Sequence, residues 1–131
     1  MYIFSLVGPV REVIESLAGE HGDYKLVMLY NNDLGATTNW NLIVSSDWTD
    51  DLGIAEATKI IAQALHGALA QENKASISRV TVLKTTDPFV RDMTRLYPVL
   101  NGEGVPLKQV TAGDVREGAG FVFCSRPGVP A

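Results

Sequence analysis

Two asparagines one residue apart are the first side chains in this chain whose types and spacing could do chemistry. Asn39 and Asn41 open the second of two apolar segments, and a polar turn separates it from the first. If this segment is a strand, both amides point to the same face. Carboxylates there would hold a divalent metal, whereas two amides are neutral and bind through hydrogen bonds. The pair therefore predicts an uncharged ligand-binding edge, together with Asn32 from the turn and Trp48 from the following loop. The competing interpretation is an ordinary turn, since asparagine, aspartate, glycine and threonine recur in loops between strands.

Carboxylates near the same hairpin form the densest acidic group in the sequence. Asp33 lies in the turn, and Asp47 and Asp51 follow the second apolar segment. Mg²⁺ and Ca²⁺ prefer such oxygen ligands, so a metal site at these three residues is one prediction. The spacing is not that of an EF-hand. Helix capping is the competing interpretation, because Thr49 or Asp50 can accept hydrogen bonds from the first amides of a helix.

Other reactive side chains stand alone in the sequence. Cys124 follows an apolar run and predicts a buried, unreactive thiol. His66 lies at the edge of an apolar helical stripe, where packing or a hydrogen bond is expected rather than catalysis. Trp48 is either an exposed indole that stacks on a ligand or the lid of the core. The glycine-rich phosphate loop, the paired cysteines and the Gly-x-Ser-x-Gly elbow are all missing, which argues against the easily recognised enzyme classes.

Composition limits the class of protein. The chain has 131 residues, 46% hydrophobic and 20% charged, with a formal net charge of −4. This is ordinary for one globular domain spanning residues 1–131. Lysine and arginine are scattered singly, so no nucleic-acid partner is expected. The N-terminus lacks a basic leader and is too short for a spanning helix, so we expect a soluble cytoplasmic protein without membrane contact.

Hydrophobic periodicity predicts the elements that must position these side chains. The expected strands are residues 2–7, 25–30, 40–45, 76–84, 107–111 and 121–125. The expected helices start at Pro9, near residue 52 and at Asp87-Pro88. The second of them is expected to run to residue 73, with an apolar stripe of Ile54, Ala57, Ile61, Leu65 and Leu69. Residues 125–131 are expected to form a loose tail.

This order predicts an α+β fold, an α/β sandwich. Its sheet would be mixed, mostly antiparallel and about five-stranded, with two or three helices. Two arrangements share the central helix–hairpin–helix–strand unit, namely a ferredoxin-like core and a nucleotidyltransferase-like core. In the ferredoxin-like arrangement, residues 2–7 form an inner strand and both long helices cover one face.

The hairpin carries a short motif that resembles a degenerate nucleotidyltransferase-like domain. A strand ends in Asn31-Asn32, the turn contains Gly-Ala-Thr, and Asn39-Trp-Asn41-Leu-Ile-Val follows. In intact members of that superfamily, Gly-Ser ends the first strand and Asp-x-Asp opens the second. The resemblance covers about residues 10–83 and implies that Asn39 and Asn41 replace the two magnesium-binding aspartates. Residues 76–84 contain no third carboxylate. The resemblance thus implies that magnesium-dependent nucleotidyl transfer is lost, since neutral amides cannot replace carboxylate charge.

Three functions remain open from the sequence. The first is a non-catalytic binding or assembly module whose hairpin edge or helical face contacts another protein or a second copy, with no cofactor. The second is a small metal- or nucleotide-dependent enzyme that uses Mg²⁺ at Asp33, Asp47 and Asp51. The third is a small-molecule sensor on a ferredoxin-like sheet, with Asn39, Asn41 and Trp48 as contacts. We expect the first.

Overall fold

The computed structural model describes residues 4–31, 40–99, 104–107 and 119–126. The helices are α1 (Phe4–His21), α2 (Asp47–Leu52), α3 (Ile54–Ala68), α4 (Gln71–Ser76) and α5 (Pro88–Leu96). The strands are β1 (Leu26–Asn31), β2 (Trp40–Ser45), β3 (Ile77–Val82), β4 (Val105–Leu107) and β5 (Ala119–Ser125). None of the described helices combines the length and the apolar character needed to cross a membrane.

The five described strands form one mixed sheet in the order β3-β2-β1-β5-β4. Strands β2 and β3 are parallel, and every other pair is antiparallel. The parallel pair follows from its connection, because α2, α3 and α4 carry the chain back before β3 begins. The predicted α+β sandwich with a mostly antiparallel sheet is confirmed. Among the described residues, three helices have nine residues or more and two have six.

Side chains alternate between the two faces of the sheet, and helices cover both faces. On the first face, Val27, Leu29, Leu42 and Val44 pack in one core cluster with apolar residues of α1 and α3. On the second face, Leu26, Met28 and Ile43 pack with Phe89, Val90 and Met93 of α5. Because α5 has only nine residues, it covers less of the sheet than α1 and α3 do. The second face therefore keeps room for a pocket.

The N-terminal segment differs from the predicted strand at residues 2–7. Its described part, from Phe4, is the first turn of α1, and Pro9 lies inside the helix. Leu6, Val7 and Val10 are buried in the core at helical spacing. Their burial offsets the hydrogen bond that Pro9 cannot donate. The inner strand that the ferredoxin-like arrangement requires is thus replaced by helix.

The single helix predicted at residues 52–73 is three helices. Gly53 separates α2 from α3 with φ 91° and ψ 154°, and Leu69 ends α3 in extended backbone. A side chain at Gly53 would be strained at this positive φ, so the bend depends on glycine. Ile54, predicted to belong to the apolar stripe, is instead 49% exposed, whereas Ala57, Ile61, Leu65 and Leu69 are buried as predicted.

The N-terminus of the acidic helix α2 is also capped by a different residue from the one predicted. Ser46, rather than Thr49 or Asp50, is the N-cap of α2, and its Oγ accepts a hydrogen bond from the Thr49 amide at 3.1 Å. The Thr49 Oγ1 in turn accepts one from the Ser46 amide at 3.0 Å. Such a reciprocal pair satisfies two otherwise unpaired helix-end donors.

Elements with strong local signals occur where they were expected. β2 and β3 match the predicted strands, and α5 starts at Pro88 with the Asp87 side chain as its cap. The first late strand begins earlier than predicted, at Val105, and residues 108–111 lie outside the described residues. Ser125, where the predicted strand 121–125 and the predicted tail 125–131 overlap, is the fully buried end of β5, and residues 127–131 lie outside the described part.

Candidate functional site

Asn41 lies in a row of side chains that crosses the second face of the sheet. It pairs with Tyr30 of β1 on one side and with Arg79 of β3 on the other. Tyr30 pairs in turn with Gly120 of β5. Paired residues on adjacent strands share a face, so the phenol, the amide and the guanidinium line the side of the sheet that α5 covers in part.

A hydrogen bond joins Asn41 to the strand beside it. The Thr81 hydroxyl donates from Oγ1 to the Asn41 Oδ1 at 2.9 Å, and both side chains are half-buried. Thr81 pairs with Ile43, which faces the α5 cluster. The Asn41 oxygen is thus satisfied by a neutral donor, and neither side chain carries the negative charge that a Mg²⁺ ligand supplies.

A pocket of about 330 Å³ opens beside Asn41. Its described lining residues are Tyr30, Asn41, Ile43, Leu83, Asp87, Pro88 and Phe89. Asp87 is the single carboxylate among them, and it accepts a hydrogen bond from the Phe89 amide at 2.8 Å as the cap of α5. The Tyr30 ring meets the Phe89 ring edge-on, with centroids 6.5 Å apart. Burial raises the pKa of the Tyr30 phenol, which stays protonated at neutral pH. The pocket therefore offers aromatic and amide surface with one carboxylate at its rim.

The structure brings together only part of the predicted ligand set. Asn32, Asn39 and Asp33 lie outside the described residues. Trp48 is 8% exposed and belongs to the core on the first face. Its indole stacks on His21, with ring centroids 4.6 Å apart. Trp48 is therefore the lid of the core, the second of its two predicted environments, and does not meet Asn41 on the opposite face.

The described acids do not converge. Asp47 and Asp51 are exposed on α2, which follows the far end of β2 from Asn41. At about 3.3 Å per residue, Ser46 is about 16 Å from Asn41 along the strand. Asp50 instead accepts hydrogen bonds from the Thr85 amide and, at 2.6 Å, from its hydroxyl. Within the described ranges, no group of three or more histidine, cysteine, aspartate or glutamate residues is arranged to hold a metal ion.

Cys124 has the environment expected of an unreactive thiol. Its Sγ lies 3.5 Å from the Tyr24 carbonyl oxygen. Burial raises the pKa of the thiol, with a further rise from Asp23 and an opposing effect from Arg126. The thiolate, which is the nucleophile, is therefore disfavoured at neutral pH.

A second surface was not expected from the sequence. A groove of about 320 Å³ runs between α3, α4 and the outer side of β3. Its described lining residues are Thr58, Ala62, Leu65, His66, Leu69, Lys74, Ile77, Ser78, Arg79 and Val80. They include three basic residues and no carboxylate. The side chains of His66 and Lys74 belong to this groove, whereas the Arg79 side chain lies on the Asn41 face of the same strand. His66 is exposed here rather than packed, and each basic residue comes from a different element. No run of basic residues in the sequence signals this groove, which we call the β3 groove.

Comparisons with protein-family models, with curated proteins and with solved structures found no match. Function must therefore be argued from the geometry of the Asn41 pocket and the β3 groove.

Proposed function

We propose that this chain is a non-catalytic binding module on a degenerate nucleotidyltransferase-like core. The observation that carries the proposal is the hydrogen bond from Thr81 to Asn41. An intact site of this kind needs carboxylates on neighbouring strands to hold Mg²⁺ against a triphosphate. Here the two neighbouring side chains are an amide and a hydroxyl, and each is the other's partner.

The order of elements supports the same core. Helix α1 leads into the antiparallel β1–β2 hairpin, and the helical crossover then returns to β3 parallel to β2. Asn41 and Thr81 thus lie on adjacent strands and on one face of the sheet. Asn41 is one of the two motif positions, and Thr81 lies on the strand where the resemblance places a third carboxylate. The order of elements and this register are both compatible with the proposed core.

The described pocket residues do not fit a magnesium triphosphate. Mg²⁺ favours anionic oxygen ligands, and Asp87 already accepts the Phe89 amide as a helix cap. A single engaged carboxylate supplies too little charge for the metal. Aromatic and amide groups instead suit an uncharged ligand or a partner's side chain. Binding, rather than transfer chemistry, is the function that this lining supports.

The test measures metal-nucleotide binding and transfer directly. Thermal unfolding is followed with millimolar Mg²⁺ or Mn²⁺ and each common nucleoside triphosphate, and transfer is assayed with labelled nucleotides. We expect no stabilisation and no transfer, because a ligand raises stability only if it binds the folded state. Stabilisation of the native chain by a metal-nucleotide pair, or any transfer, would overturn the proposal.

A charge-restoring variant sharpens the test. Asn39→Asp with Asn41→Asp reinstates the motif acids, and we expect Mn²⁺ to stabilise this variant but not the native chain. Asn73→Asp with Asn101→Asp makes the same change in charge elsewhere and serves as the matched control. Equal responses to Mn²⁺ from the two variants would show that the charge alone, and not its position, attracts the ion.

A further inference from the structure

Among the described strands, β3 lies at one edge of the sheet. It pairs with β2 on one side, and no described strand pairs with its other side. The Leu83 amide donates to the Val44 carbonyl at 3.0 Å, so the amide of this residue points towards β2. Backbone groups alternate in direction along a strand, which leaves the amides of Val80 and Val82 pointing outward. Such an edge is a template for an added strand.

The β3 groove beside this edge is basic although the protein is acidic. Its basic groups are His66 of α3 and Lys74 of α4, and Arg79 of β3 adds a third basic side chain on the other face of the same edge strand. None of them forms an ion pair with a described carboxylate. The chain as a whole carries 15 acidic against 11 basic residues. A local surface of opposite sign points to a negatively charged partner.

In a second pocket with basic side chains, part of the positive charge is neutralised by neighbouring acids. It is lined by Lys25, Arg91 and Arg95 beside threonines. Asp92 lies 3.4 Å from Arg95, and Asp50 is bound to Thr85 at the pocket wall. Its positive charge is thus offset locally, whereas no described carboxylate forms an ion pair with His66, Lys74 or Arg79. The second pocket therefore serves as a control surface.

We propose that β3 binds an acidic, extended segment of a partner protein as an additional strand. This inference rests on the proposed binding function and names its partner class. Alternate side chains of an added strand point to opposite faces of the sheet. Arg79 shares the face of Asn41, while Val80 packs against the core on the other face, beside His66 and Lys74. Acidic groups on either face of the added strand therefore meet a basic side chain.

The apolar floor of the groove requires that the partner segment also contain apolar residues. Leu65 and Leu69 are buried there, and Ile77 is half-buried. An apolar side chain placed between the acidic ones would cover this surface. A second copy of this chain fits less well, because symmetric pairing of two β3 edges would bring like charges together. The preferred partner is thus a strand in which acidic and apolar residues are mixed.

The first experiment selects peptides from a random nonapeptide library on the full-length protein. We expect enrichment of aspartate and glutamate together with aliphatic residues, and an affinity that falls as salt is added. Lys74→Glu with Arg79→Glu should weaken the selected peptides by about tenfold or more. The control, Lys25→Glu with Arg91→Glu, makes the same change in net charge and should leave affinity within about threefold. Enrichment of basic peptides, no enrichment, or equal losses in the two variants would overturn the proposal.

The second experiment tests backbone pairing. Val80→Pro removes an outward amide from an edge strand without removing a bond to β2, whereas Val80→Ala removes side-chain atoms and keeps the amide. We expect the proline variant to lose about tenfold or more in peptide affinity relative to the alanine variant. If the proline variant unfolds, the selected peptide is N-methylated at alternate amides, and one of the two methylation patterns should abolish binding. Equal binding of both patterns, or of both folded variants, would exclude strand addition.

The outcomes separate this inference from the proposed function. Nucleotidyl transfer by the native chain would contradict the non-catalytic assignment and would leave the peptide result untouched. If no peptide is selected, and metal and nucleotide neither stabilise the chain nor support transfer, only the assignment of β3 as a peptide-binding strand is contradicted. Light scattering during the selection identifies self-association through β3, which would also contradict an acidic partner.

Discussion

The Asn41 side chain of β2 is held by Thr81 of β3 through a hydrogen bond of 2.9 Å across the parallel strand pair. The bond links residues 40 positions apart in the chain, and it exists only because the crossover through α2, α3 and α4 sets the register of β3. It fixes the amide at the wall of the 330 Å³ pocket. The orientation of the amide, and therefore what it presents to a ligand, depends on the neighbouring strand.

Loss of the Thr81 hydroxyl is expected to destabilise the protein modestly. Thr81→Val keeps the shape of the side chain but leaves the half-buried Asn41 Oδ1 without its donor, at a cost of about 1 kcal/mol. Thr81→Ser keeps the donor and is the matched variant. Urea unfolding gives the two free energies, and a serine variant that is as unstable as the valine variant would argue against a role for the bond.

Asp50 and Asp51 are adjacent acids with different structural roles. Asp50 accepts hydrogen bonds from the Thr85 amide and hydroxyl and so ties α2 to the segment after β3. Asp51 is exposed, and no contact of this kind is found for it among the described residues. We expect Asp50→Asn to lower the free energy of unfolding by up to about 1 kcal/mol, and Asp51→Asn to change it by less than about 0.5 kcal/mol. The reverse order in urea unfolding would contradict the assigned contact.

Stability is expected to fall at alkaline pH. Burial raises the pKa of the Tyr24 phenol and of the Cys124 thiol, and the Tyr24 hydroxyl also donates to the Ile14 carbonyl at 3.0 Å. A raised pKa in the folded state means that the unfolded chain loses its proton first as the pH rises. The stabilising contribution of the two groups is therefore complete below about pH 8.5. It is lost progressively as the pH rises above the pKa values of the thiol and the phenol in the unfolded chain, about 8.5 and 10, towards their higher pKa values in the folded protein.

The measurement is the free energy of unfolding in urea at several values between pH 7 and pH 11. Tyr24→Phe and Cys124→Ser each remove one ionising group, so each should make the alkaline decline shallower even where it costs stability at neutral pH. A decline of unchanged slope in the double variant would assign the effect to other groups. Thiol-specific reagents provide an independent check, since the folded protein should react more slowly than the unfolded one at the same pH.

Two glycines are expected to respond to alanine in opposite directions. Gly104 has φ 81°, and a Cβ built there collides with the ring of the buried Phe121. Gly104→Ala should therefore cost about 2–4 kcal/mol, from backbone strain and overpacking together. Gly67 lies in α3 with open space around it, and Gly67→Ala should stabilise by about 0.5–1 kcal/mol. Thermal and urea unfolding measure both, and a neutral Gly104→Ala would contradict the packing of residues 104–107 on β5.

Part of the fold could be derived from residues that lie close together in sequence. In β2, Trp40 is buried in the core cluster on the first face and Asn41 lines the pocket on the other, which follows from the two-residue period of a strand. Asp87 and Pro88 predicted the start of α5, because a cap and a first-turn proline act within a few residues. These signals are local, so they hold whatever the rest of the chain does.

Other elements were decided by packing. The segment at Leu6 and Val7 suits a strand by residue type and a helix by spacing, and burial against the core selected the helix. The helix predicted from about residue 52 to residue 73 begins only after Gly53, whose backbone ends α2, and it stops at Leu69, whose backbone is extended. Intrinsic propensity could not decide these outcomes, because the difference in propensity between the alternative structures is smaller than the free energy that tertiary packing supplies.

The sites show the same division between local and long-range information. From the sequence alone, Asn39 and Asn41 could be identified as two neutral amides one residue apart at the start of a strand. Only the tertiary structure decided that Thr81 would satisfy Asn41 and that Trp48 would be buried beside His21. It also decided that His66, Lys74 and Arg79 would all lie along the outer side of β3. Hydrophobic periodicity and helix capping depend on neighbours in the chain, whereas these three arrangements depend on strand order and register, which the folded core sets as a whole.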